Sequence, residues 1–147
     1  MSIKNRSILI LLVVLPLIVP LIAAGEMSVK IIVNASNPAS MMKKAQISNF
    51  FLKKAGTWEN GHKVLPVDQV ESSSVRKAFS EQVHGKDVHQ IVSYWQKQIF
   101  SGREVPPVEK DSDREVLAYV RDNTDAIGYV SDGAAVGEGI KVVKVLD

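Results

Sequence analysis

The 147-residue sequence contains no cysteine. That excludes disulfides and thiolate metal sites, and it excludes a lipid-bearing cysteine behind an export signal. An excess of one charge is also missing. Eighteen Lys and Arg stand against sixteen Asp and Glu. Lys4 and Arg6 are the only charges in residues 1–25, so residues 26–147 carry sixteen of each sign and a formal charge of zero. Nucleic acid is therefore not an expected partner, because neutralising many phosphates needs a basic excess. Histidines are few: His62, His84 and His89. The last two lie five residues apart across Gly85, a poor match to one helix face, so they read as solvated surface residues and no metal or other cofactor is expected. No nucleophile, base and orienting acid recur at a known spacing, and the serine run lacks the glycine-flanked elbow of hydrolases. An enzyme is not expected.

A long hydrophobic run is the next absence. Ile8 to Ile22 is apolar apart from Pro16 and Pro20, but it is 15 residues long, and a membrane span needs about 20. The run follows the basic start Lys4 and Arg6 and precedes the small residues Ala23, Ala24 and Gly25. This order is that of a secretory signal peptide. Residues 1–25 are accordingly expected to be a cleavable signal, and residues 26–147 one domain. With no lipid anchor the product should be soluble, and between two membranes it would be periplasmic.

Within residues 26–147, Val29–Val33 is a β-branched run that predicts a strand. Asn34–Ser40 is turn chemistry. Met42, Ala45, Ile47, Phe50 and Phe51 recur at helical spacing, and Gly56 lies beyond them. Trp58–Gly61 reads as a turn. Val64–Asp68 predicts a second strand, with Pro66 suggesting an edge or a bulge. Val75, Ala78, Phe79 and Val83 form a helical stripe entered through Ser72, Ser73 and Ser74. Val88, Ile91, Val92, Trp95 and Ile99 form another, capped near Asp87. Ser112 with Glu115 three residues on is a capping pattern before a helix that ends near Arg121. Ala126–Val130 and Ile140–Leu146 are two further strands. The alternation predicts an α/β sandwich with a mixed or parallel sheet. Trp58, Tyr94, Trp95 and Phe100 are expected in the core, and Lys43, Lys44, Lys53 and Lys54 on a solvated helix face.

The most suggestive chemistry is Ser72-Ser73-Ser74 with Arg76 at a helix start. Such a start has free backbone N–H groups and a partial positive charge. Adjacent hydroxyls and a guanidinium add donors, which makes a cradle for phosphate or sulfate. Spacing alone also fits a plainer reading, a serine cap followed by a surface arginine.

Several segments are similar to the second lobe of phosphate-binding proteins of ABC-type transporters. They are VKIIVNASNP, FFLKK at 50–54, WENG at 58–61, LPVDQVESSSVRKAF at 65–79 and AIGYV at 126–130. YWQKQIFSGREVPP at 94–107 resembles a short branch of that family consisting of little more than this region. The resemblance implies a type 2 periplasmic-binding-protein-like fold reduced to a single lobe, a mixed sheet flanked by helices. It implies capture of phosphate or a related oxyanion, with Ser73 and Ser74 as the positions carried over from the family, and an ABC permease or another envelope protein as partner. Ser72 enters as a candidate from the helix-start reading, and Arg76 from that reading and the short branch. It also implies a surface left bare by the absent lobe, where a second copy could sit. The sequence departs from the family's serine loop at Gln69, where an arginine is the rule, and at Glu71. Asp125 replaces the glycine before AIGYV. The alternative to transport is an envelope adaptor or sensor that keeps one lobe and works through protein partners.

Overall fold

A computed structural model describes residues 25–147. The expected signal segment lies outside these residues, Gly25 apart. Six strands and four α-helices follow one another. They are β1 (Val29–Asn34), β2 (Met41–Lys43), α1 (Lys44–Phe51), β3 (Leu65–Gln69), α2 (Ser74–Phe79), α3 (Val88–Phe100), β4 (Val108–Lys110), α4 (Asp113–Asp122), β5 (Ala126–Ser131) and β6 (Ile140–Leu146). A π-helical turn, Ser80–His84, continues α2 and ends on Gly85, whose φ of 63° is left-handed.

The strands form one mixed sheet in the order β2-β6-β1-β5-β3-β4. β1 is antiparallel to both of its neighbours, β5 and β6. The other pairings, β2 with β6, β3 with β5 and β3 with β4, are parallel. Five strands therefore point one way and β1 alone opposes them. The carboxyl ends of β3, β4 and β5 come together at one edge of the sheet. In open α/β sheets that edge is where ligands collect.

The period-two alternation of the strands sorts side chains onto two faces. Ile31 and Val33 of β1 and Ile127 and Tyr129 of β5 face a layer built from Ile47, Phe50 and Phe51 of α1 and Phe79 of α2. Ile32, Ala126 and Val130 face Val116 and Val120 of α4. The result is a three-layer α/β/α arrangement. α4 approaches β5 at Gly128 closely enough that a Cβ there would stand 2.8 Å from Val116 and 2.9 Å from Val67. Glycine is the residue that lets this helix seat. α3 is attached differently. It rests on a small separate cluster of Ile91, Trp95 and Leu52, with Tyr94 beside it.

Four expectations shift. Met42 belongs to β2, not to α1, although it is buried as its spacing required. β2 and β4, three residues each, were not expected as strands. β3 is an inner strand, not an edge. Pro66 is tolerated because Leu65 donates toward β5, to Asp125 O. The next residue's missing N–H therefore points to the other side, where the pairing with β4 begins only at Val67. Trp58 and Trp95 are buried as expected, but Phe100 is 97% exposed.

Candidate functional site

The serine run sits between the carboxyl end of β3 and α2, at the ligand edge of the sheet. Ser73 is the N-cap of α2. Its hydroxyl oxygen accepts from the backbone N–H of Val75 and of Arg76, 3.2 Å each, and donates to Gln69 Oε1 at 2.7 Å. Both functions of that hydroxyl are thus committed inside the chain. Ser72 and Ser74 are exposed on either side of it. They line an open groove of about 980 Å³ with Lys77, Glu71, Asp87 and His89. Glu71 stands at the groove's margin, 3.7 Å from His89 Nδ1, and the Asp87 carboxylate caps α3 through Gln90 N–H.

Arg76 lies on the inner side of α2 and is 4% exposed. Its Nη1 donates to Gln69 O at 2.8 Å and to Glu109 Oε1 at 2.5 Å, and its Nη2 is 3.6 Å from Asp68 Oδ2. Burial opposes the guanidinium charge, but Asp68 and Glu109 outweigh it and hold the Arg76 pKa above its ordinary value. Asp68 is buried beneath it and accepts from Tyr129 Oη and from Gln69 N–H. Burial pushes the Asp68 carboxyl up, against the pull of Arg76. Burial and then the adjacent carboxylate push the Tyr129 phenol far up, so it stays a neutral donor.

A second set of contacts fixes the same edge. Asp113, in the first turn of α4, accepts from Gln69 Nε2 at 2.8 Å, from Ser131 Oγ at 2.5 Å and from Ser131 N–H at 3.2 Å. A carboxylate here is favoured by the helix dipole. It ties the ends of β3 and β5 to the start of α4. Gln69 then transmits that tie to Ser73.

The structure thus brings Ser72, Ser73, Ser74 and Arg76 into one turn and orients them oppositely. Ser72 and Ser74 face the groove, Ser73 caps the helix and Arg76 turns inward. The sequence pattern assigns no site role to Asp68, Glu109, Asp113, Tyr129 or Ser131. Gln69 was noticed as a replaced arginine. The available signal was its polar character next to Asp68 at the end of an apolar strand. Among the described residues, no group of three His, Asp or Glu is placed to hold a metal ion, and no helix is long and apolar enough to cross a membrane.

No protein-family model and no curated protein matches the chain. Solved structures do. An ABC-type phosphate transport receptor from Vibrio cholerae superposes with a TM-score of 0.63 at 20% identity, over 81% of this chain and 46% of that one. A Clostridium perfringens protein assigned as a phosphate ABC transporter substrate-binding protein, with phosphate bound, gives 0.65 at 23%, over 81% and 45%. PstS from Borrelia burgdorferi gives 0.65 at 13%, over 81% and 47%. The chain spans a little under half the length of each. At these identities the likeness is one of fold. The chain has the mixed α/β fold of a lobe-sized part of phosphate-binding proteins, as its sequence resemblance implied.

Proposed function

We propose that the chain is a periplasmic solute-binding protein of the phosphate-binding type, exported by the signal in residues 1–25 and capturing phosphate or a related oxyanion for an ABC-type transporter. The observation that carries this reading is the groove at the carboxyl end of β3, with Ser72 and Ser74 facing it, in a fold shared with a protein solved with bound phosphate. Ser72 and Ser74 offer hydroxyls and first-turn N–H groups to the anion, and Lys77 adds a cation at the rim. Ser73 and Arg76 contribute indirectly, by fixing the start of α2. The opposite wall of the cleft comes from a second copy or from a partner chain, since one lobe supplies one wall. The role is binding, not catalysis.

Titration calorimetry with phosphate tests the reading. At about millimolar phosphate, binding of that strength corresponds to ~4 kcal/mol and gives saturable heat. The double variant Ser72→Ala/Ser74→Ala should abolish the heat without changing the melting temperature. A folded chain that gives no heat would sink the proposal.

One observation favours a second reading, an envelope adaptor or sensor working through protein partners. The strongest anion donor of the edge, Arg76, is already occupied by Asp68 and Glu109. Specific capture of an envelope protein by a chain that ignores phosphate would establish this alternative.

A further inference from the structure

The far end of α3 presents a combination that the groove at α2 does not need. Phe100 is 97% exposed and Ile99 55%. Val105, five residues beyond Phe100, is also exposed. These are large apolar side chains exposed at the end of α3 and in the loop just beyond it. Exposed apolar residues scattered singly are ordinary, but a contiguous group with a polar rim marks a contact surface.

The rim here is cationic. A groove of about 480 Å³ along α3 is lined by Lys54, Lys86 and Lys97 together with His89. It adjoins a second groove at Phe100 and shares Ser93 and Lys97 with it. The acid lining the first groove is Asp87, whose Oδ1 accepts from Gln90 N–H as the cap of α3. Beyond Phe100, Arg103 is exposed, and Glu104 is countered by Lys53 at 3.6 Å. His84, half-buried behind this face, registers the field. Its pKa is depressed to about 4 by burial first, then by Arg76, Lys54 and Lys86.

We propose that this face docks on an anionic membrane surface, with Lys54, Lys86 and Lys97 against lipid headgroups and Ile99 and Phe100 entering the interface. Charge complementarity selects the occupant. Three lysines beside a protruding aromatic match a layer of anionic headgroups over apolar chains, the pattern of amphipathic interfacial binding. A convex Phe100 suits a deformable lipid interface better than a preformed protein pocket. The proposal concerns α3 and does not depend on phosphate capture at α2.

Sedimentation with vesicles tests it, using the chain as it accumulates in the envelope. Vesicles of phosphatidylglycerol and phosphatidylcholine are compared with phosphatidylcholine alone, at low and high salt. Binding should require phosphatidylglycerol and weaken with salt. Each of Lys54→Gln and Lys97→Gln should lower the affinity about fivefold, as one lysine near an anionic surface contributes about 1 kcal/mol. Phe100→Ser should lower it about tenfold through lost apolar burial. All three positions are solvent-facing, so unchanged melting temperatures confirm folding. Equal binding to both vesicle types, or binding that none of the three variants alters, would overturn the proposal. So would binding to an acidic peptide such as polyglutamate with none to the anionic vesicles, an outcome that would make the face a protein-docking surface.

Discussion

The start of α2 and the length of α3 treat charge in opposite ways. At α2 the polar side chains that shape the edge are answered within the fold. Arg76 is held by Asp68 and Glu109, Ser73 by Gln69 and two amides, and Asp113 by Gln69 and Ser131. At α3 the cations face outward and the apolar tip is bare. The first region thus satisfies its own buried polar groups and leaves Ser72 and Ser74 open to the groove, while the second leaves its cations and its apolar tip unanswered among the described residues. A guanidinium beside a serine-rich helix start is not automatically a ligand donor. The carboxylates beneath it decide.

The largest expected effect comes from removing the charge that α2 consumes. Arg76→Ala leaves Asp68 and Glu109 without their counter-ion, with Asp68 fully buried. Losing one partner of a buried pair costs ~3–5 kcal/mol. Urea denaturation should show a loss of this order, and a change below ~1 kcal/mol would break the contrast between the two regions.

His84 joins the regions, since cations from both lower its pKa. It also pairs with Ser48 Oγ through Nδ1 at 2.7 Å. Its pKa falls from an ordinary 6.5 to about 4 in the fold. A depressed folded pKa supplies stability above the unfolded value and loses it as pH falls. Stability should therefore decline between pH 6.5 and 4 by ~2–3 kcal/mol relative to His84→Gln, which keeps a polar partner for Ser48 and does not titrate. Paired denaturation curves at pH 7 and pH 4.5 measure it, and parallel behaviour of the two proteins would remove the link.

The smallest effect separates neighbours in the serine run. Ser73→Ala removes the cap and should cost ~1 kcal/mol. Ser74→Ala, at an exposed position, should stay within ~0.5 kcal/mol. Thermal melts that rank the two variants the other way would reverse the roles assigned to these hydroxyls.

The four long strands and the four helices were legible because their apolar periodicities are strong. Ile31–Val33 and Ala126–Val130 are buried on both faces and read as continuous apolar runs. β2 and β4 were not legible, because three residues carry no period and their pairing with β6 and β3 is long-range. At the site, the cap at Ser73 followed from local spacing. The inward turn of Arg76 did not. It depends on Asp68 at the end of β3 and on Glu109 in a strand that forms only in the folded sheet. The clamp of Asp113 on Ser131 joins residues 18 apart, and no motif announces it. The exposure of Phe100 was legible, since it stands one residue off the stripe that ends at Ile99; its aromatic character is what suggests a core position instead.

The lone opposed strand also bears on how the chain comes to be folded. β1, the first of the described strands, lies inside the sheet and is zipped on both sides by β5 and β6. Those partners lie roughly a hundred residues downstream, so the middle of the sheet cannot close until both have been made. Such non-local closure slows folding. Until then both edges of β1 stay unpaired, a template open to other chains.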